Sequence, residues 1–257
     1  MKIATLVIVA EIFLLLTTIL IGEEKTAVQP AGLRIVGPGY GLNGSELKPF
    51  NRRSGTTLAL VINAPDNKKI VEIDDSKCSL TTFTDDSGAD LLDDIDWGSF
   101  PEISKDGHLA LIEVTSKNRP SQNAARLYAK GVVHMRIAAA ESTGRIENLD
   151  LTVGTKIDFQ QELIQVQKAQ VENESLTLVL QISQIFKSKI KDIRFYTASN
   201  TLIKVWGTGS FSFGNASQME YNLDINSTPK SLNVEIDLWQ ELETLTLPFE
   251  IESSIGF

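Results

Sequence analysis

The chain has 257 residues, with 24 Lys and Arg against 33 Asp and Glu, and a formal charge of −9. That balance argues against a nucleic-acid surface, which needs clustered Lys and Arg to neutralise phosphates. One Cys and two His exclude a disulfide framework and leave little room for a thiolate- or histidine-rich zinc centre.

Lys2 opens a segment, Ile3–Ile21, that is almost wholly apolar apart from Thr and Glu11. Its run Ile12–Ile21 has the length of a signal-peptide core. At the centre of a membrane helix Glu11 costs about 3 kcal/mol. The thirteen Ile, Leu, Val and Phe of the segment, at about −0.3 to −0.6 kcal/mol each, offset it. Residues 1–22 are therefore predicted to form a signal peptide or an uncleaved membrane-anchor helix. Gly22 suits a cleavage site and Leu20 does not. The rest of the chain is expected outside the cytoplasm, as a periplasmic, secreted or membrane-anchored protein. There Cys78 has no partner within the chain and is expected as a small buried hydrophobe.

After Gly22 the dominant period is two. Leu33–Val36, Thr57–Ile62 and Leu109–Val114 read as strands. Ala125–Lys130 sets apolar residues on one face and Arg126, Tyr128 and Lys130 on the other. In the run Gly131–Ile137, His134 shares a face with Val132 and Arg136. Only Ile182–Ile193 suggests helix, for a turn or two, with Lys187, Lys189 and Lys191 towards solvent. Leu245–Glu252 alternates most cleanly, and its Pro248 predicts an edge position because proline cannot donate to a ladder. Short strands separated by turn signals point to an all-β chain of antiparallel sandwiches.

The chain also resembles itself. Leu58–Asn63 matches Leu176–Gln181, Lys69–Ile73 matches Lys189–Ile193, and Phe83–Gly88 lines up with Phe195–Asn200. The spacing is close to the size of one immunoglobulin-like sandwich. Gly88 and Asn200, both tolerant of a left-handed backbone, fall at matching turn positions. Two tandem β-sandwich domains of immunoglobulin-like architecture are predicted, at residues 28–145 and 146–257, meeting near Glu141–Gly144. The Cys…Trp…Cys core signature is absent, so the likeness stops at architecture.

Gly39–Gly44 matches the dinucleotide-binding string GxGxxG, but Pro49 follows too soon for the helix whose amides would hold a pyrophosphate. His108 and His134 could serve a hydrolase with a noncontiguous site, although no GxSxG elbow is present. The most unusual feature is acidic. Between Glu72 and Asp96 stand nine acids and one base, Lys77, so this region holds most of the net charge. Asp85, Asp86, Asp90, Asp94 and Asp96 are candidate Ca²⁺ ligands, since calcium takes six to eight oxygens, yet no EF-hand spacing is present. A solvated loop that aids solubility is the simpler reading. Core or turn packing is expected for Trp97, Trp206 and Trp239.

With no cofactor constellation in the sequence, the expected function is a non-enzymatic, exported cell-envelope or surface module. Its expected partner is a protein or polysaccharide of the envelope, with membrane contact only through the N-terminal segment. The alternatives are a Ca²⁺- or carbohydrate-binding module centred on residues 72–96 with Trp97, and the hydrolase.

Overall fold

The computed structural model describes residues 27–37, 54–98 and 101–255. The N-terminal apolar segment and the Gly39–Gly44 string lie outside them. The described chain is nearly all β and wholly antiparallel in its pairing. Its first strands are β1 (Val28–Val36), β2 (Gly55–Asn63), β3 (Lys69–Ile73) and β4 (Ser79–Asp85). Two short strands, β5 (Asp96–Trp97) and β6 (Glu102–Ile103), precede β7 (Leu109–Ser116) and the long β8 (Arg126–Asp150). Then come β9 (Lys156–Phe159), β10 (Glu162–Glu172), β11 (Ser175–Ser183), a one-turn helix α1 (Gln184–Lys187) and β12 (Ile190–Tyr196). The chain closes with β13 (Leu202–Ile203), β14 (Val205–Phe213), β15 (Ala216–Asp224) and a second long strand, β16 (Ser231–Ser254).

The predicted strands fall within β1, β2, β7, β8 and β16. The predicted helical stretch is shorter than its periodicity suggests. Ser183 caps α1 by accepting from the Phe186 N–H, and from Ile190 the same residues enter a strand. No helix among the described residues is long and apolar enough to cross a membrane.

Three sheets result. The first runs β1-β2-β7-β5, with β6 also on β7; the second runs β14-β15-β11-β10-β9. The third, β13-β12-β16-β8-β3 with β4 also on β8, is shared. Its spine is the ladder between β8 and β16, from Arg126 opposite Ser254 to Asp150 opposite Ser231. Two cores form on this spine. One gathers Leu58, Leu60, Ile62, Phe83, Ile112, Val114, Val133, Met135, Phe249 and Ile251. The other gathers Ile146, Leu149, Leu178, Phe195, Tyr221, Leu223, Val234 and Ile236.

Each long strand therefore serves both cores. In β8 the buried residues of the first core are odd-numbered from Leu127 to Ile137; Ile146 then belongs to the second core, and Leu149 rejoins it beyond the bulge at Asn148. In β16 the buried apolar residues are even-numbered from Leu232 to Leu238, and then odd at Phe249 and Ile251. Successive side chains on a strand point to opposite faces, so this change of parity hands each strand from one core to the other. On β16 it coincides with Glu241, whose φ is +52°.

The chain does not leave the sheet at Glu141–Gly144, which lies inside β8. Nor do residues 146–257 keep to one core, since Phe249 and Ile251 belong to the first. Pro248 sits where β16 has lost β12, which pairs only with residues 233–238 and leaves β8 as its sole ladder partner there. Proline needs no donor in that position.

The halves share one strand order. β1-β2-β7 parallels β10-β11-β15, and β5 with β6 stands where β14 does. Register agrees. Leu58 faces Val114 as Leu176 faces Leu223, and Phe83 faces Ala129 as Phe195 faces Val234. Both phenylalanines are fully buried. The matched turns hold too: Gly88 and Asn200 both have positive φ. The middle resemblance does not hold. By register it is β4, not Lys69–Ile73, that stands where β12 does, and β3 pairs farther along β8.

Candidate interaction surface

Asp85 is buried at the end of β4. Its Oδ1 accepts from the Ser87 N–H at 2.9 Å, the Ser87 hydroxyl at 2.7 Å and the Ala89 N–H at 2.9 Å. Its Oδ2 accepts from the Ser121 N–H at 2.7 Å. Burial by itself would raise this carboxyl. The donors, Ser121 first among them, outweigh burial and hold it well below the usual carboxylate range. Asp85 is thus the anchor of the turn that follows it.

The other acids are dispersed. Asp86 accepts from the Ala125 N–H, Asp90 from the Leu92 N–H, and Asp94 pairs with Lys117. Asp96 is exposed in β5. Among the described residues no group of three or more His, Cys, Asp or Glu is placed to hold a metal ion.

His108 is exposed beside Asp106, whose carboxylate accepts the His108 backbone N–H. His134 Nδ1 lies 3.1 Å from Thr246 Oγ1, on the opposing strand β16. Cys78 is buried, its thiol donating to the Asp74 carbonyl at 3.3 Å and accepting from the His134 N–H at 3.4 Å. Burial pushes the thiol pKa up, which disfavours the reactive thiolate.

A cleft of about 530 Å³ lies where the halves meet. Arg136 crosses this junction, donating to the Ser188 carbonyl at 3.0 Å and pairing with Glu72 at 2.9 Å. Glu141 receives Lys191 at 2.5 Å and also Lys69, and these ammonium groups hold its carboxyl below the ordinary value. Lys191 also stands 4.9 Å above the Trp239 ring. Arg136, Glu72, Glu141, Lys69 and Lys191 are each paired across the junction or with the spine, and Lys187 donates to the Ser210 and Ser212 hydroxyls, which makes the cleft a polar brace between the two cores.

The most exposed aromatics are elsewhere, on β14. Trp206 is 60% exposed, Phe211 67% and Phe213 83%. Trp97 is buried in the first core and Trp239 is half-buried at the junction, as core or turn packing requires; Trp206 is the exception. The cause is topological. β14 ends its sheet, and on the neighbouring β15 it is Ser217, Tyr221 and Leu223 that are buried. Gln218, Glu220 and Asn222 therefore face outward, and opposite them stand Phe211, Gly209 and Gly207.

Trp206 is the extra residue of a bulge between Val205 and Gly207. Its indole N–H donates to Ser175 Oγ, on the outward face of β11, at 3.2 Å. A Cβ on Gly207 would come within 3.1 Å of Asn222 Nδ2, so the amide rests against bare backbone. Asn222 Oδ1 in turn accepts from Thr177 at 3.0 Å, and Gln167 donates to Gln181 at 2.9 Å. The face thus carries aromatic rings at two places, roughly 16 Å apart at ~3.3 Å per residue, with a glycine floor between them and amides alongside. It offers ring faces and hydrogen-bonding groups, and no paired nucleophile and base.

Comparison with protein-family models, with curated proteins and with solved structures found no match.

Proposed function

We propose that the chain is an exported, non-enzymatic cell-envelope or surface protein that works as a structural and interaction module. Its body is read as two tandem β-sandwiches of immunoglobulin-like architecture, each completed by the long last strand of the other. The common strand order and the matched registers of Phe83 and Phe195 support that reading. The apolar stretch Ile3–Ile21 supports export or anchoring.

The observation that carries the function is the β14 face. Three large aromatics exposed along one strand of a rigid sheet are costly to leave in water unless something covers them. The partner docks there, and the acidic region 72–96 lies in the other half as a solvated surface.

A second reading follows from the amides of Asn222, Gln218 and Gln181 beside those rings: the partner is a polysaccharide, its sugar faces stacked on Trp206 and Phe211 and its hydroxyls bonded to the amides. This moves the carbohydrate alternative away from Trp97, which is buried. The test is co-sedimentation with peptidoglycan sacculi, chitin and cellulose. The full chain is expected to pellet with at least one of them, and Trp206→Ala with Phe211→Ala is expected to weaken retention tenfold or more at unchanged melting temperature. Equal retention of the variant removes the aromatic face from the interaction.

A further inference from the structure

We propose that β14 pairs antiparallel with β14 of a second copy, centred on Gly209, so that the second sheet runs unbroken through a dimer. An unpaired edge invites another strand, and folded proteins blunt their edges with charge, proline, bulges or shortness. The other terminal strands do this. β1 carries Pro30, Arg34 and a bulge, β3 carries Lys69, Glu72 and a bulge, β4 is bulged and ends on Asp85, β9 is only Lys156–Phe159, and β5, β6 and β13 are two residues each. Among the described residues β14 is the one long terminal strand with neither proline nor charge.

The sequence of β14 also suits itself. Pairing about Gly209 sets Phe211 of each copy against Gly207 of the other, which carries no side chain of its own and is flanked on the outward face by the Asn222 amide. An aromatic laid over a cross-strand glycine covers backbone that would otherwise face water. Ser210 meets Thr208, and the ladder stops at the Trp206 bulge, leaving Phe213 beside the partner copy's indole. The contact is isologous and closes as a two-fold dimer.

Charge agrees. In a chain of −9 the seam carries none. The nearest acid across from it is Glu220, opposite Gly209 on β15. Two such groups related by the dyad lie three strand spacings apart, about 14 Å, beyond the ~8 Å screening length at physiological salt. On the core side Lys187 is engaged by Ser210 and Ser212.

The test is the mass of the full chain in a mild non-ionic detergent, by light scattering from 1 to 200 µM, with two variants. Gly209→Lys fits the monomer, since its Cβ would sit 3.8 Å from the Glu220 Cβ, but it opposes two lysines at the dyad. Gly209→Cys places two thiols on residues directly opposed, ~4.5–5.5 Å apart at Cα, within disulfide range. The expected results are a species of twice the 28.3 kDa chain mass, at least a tenfold weaker association for Gly209→Lys, and an oxidised dimer for Gly209→Cys. A monomer throughout overturns the proposal, as does a dimer indifferent to Gly209→Lys or one that Gly209→Cys leaves uncross-linked. Gly209→Lys leaves Trp206, Phe211 and the amides of the face in place, so polymer retention by that variant, measured beside its loss of the dimer, separates failure of the dimer from failure of the polymer reading.

Discussion

Removing residues 242–257 is expected to unfold the first core, which lies at the opposite end of the sequence, while the second core survives. Phe249 and Ile251 are buried among Leu58, Phe83 and Val133, with Leu245 and Leu247 packed beside them. Large-to-small changes at such positions cost about 3–5 kcal/mol for Phe and about 2–5 for Ile. Losing both, together with Leu245, Leu247 and the ladder to residues 126–138, takes away stabilisation comparable to the whole of a domain's, about 5–15 kcal/mol. The second core keeps all of its residues, because its share of β16 ends at Leu238. Limited proteolysis mapped by mass spectrometry should show cleavage within 55–63 and 109–116 and continued protection of 175–183 and 216–224. Protection of 55–63 in the truncated chain would show that the first core needs no strand from the C-terminus. Phe249→Ala is the milder form of the same change, expected to cost about 3–5 kcal/mol.

Asp85→Ala is expected to destabilise the first half by about 3–5 kcal/mol. The change leaves the half-buried Ala89 and Ser121 N–H groups without their acceptor, at about 1–3 kcal/mol each, while the N–H of exposed Ser87 turns to water. For a chain of this size that corresponds to a melting temperature lower by roughly 10 °C. Asp85→Asn keeps the shape but turns an amide N–H₂ towards one of those donors, so it too destabilises.

The pH dependence has a definite sign. The folded carboxyl titrates below its unfolded value of ~3.9, so its stabilisation is complete at pH values above that and disappears as pH falls through the folded pKa. The difference in urea midpoint between the wild type and Asp85→Asn should be constant from pH 8 to 5 and shrink below pH 4. A gap that widens in acid would mean that Asp85 is bound as the neutral acid.

Much of the strand content was legible because antiparallel strands with one wet face alternate, as Leu245–Glu252 and Ala125–Lys130 do. The exchange of strands was not. Alternation shows that a segment is a strand but not which sheet it joins, and a strand that serves two cores has no break in composition. The trace it leaves is the change of parity, from Leu232, Val234, Ile236 and Leu238 to Leu245, Leu247, Phe249 and Ile251.

Glu141–Gly144 looked like a junction because it is polar. It is polar because it is the middle of the spine, where Glu141 receives Lys69 and Lys191. Asp85 carried a turn signal in the following Ser87 and Gly88 that its acidic neighbours obscured. The exposure of Trp206, Phe211 and Phe213 had no local signature at all, since it follows from β14 being the last strand of its sheet.

The claim that matters most for function is that the β14 face is the working surface and the rest a scaffold that holds it. Amide hydrogen exchange of the full chain, at one protein concentration with and without envelope prepared from its own source, tests this directly. Added protection confined to residues 205–213 and the facing residues 216–224 is the expected result. Protection centred on residues 72–96, or none anywhere, would contradict it.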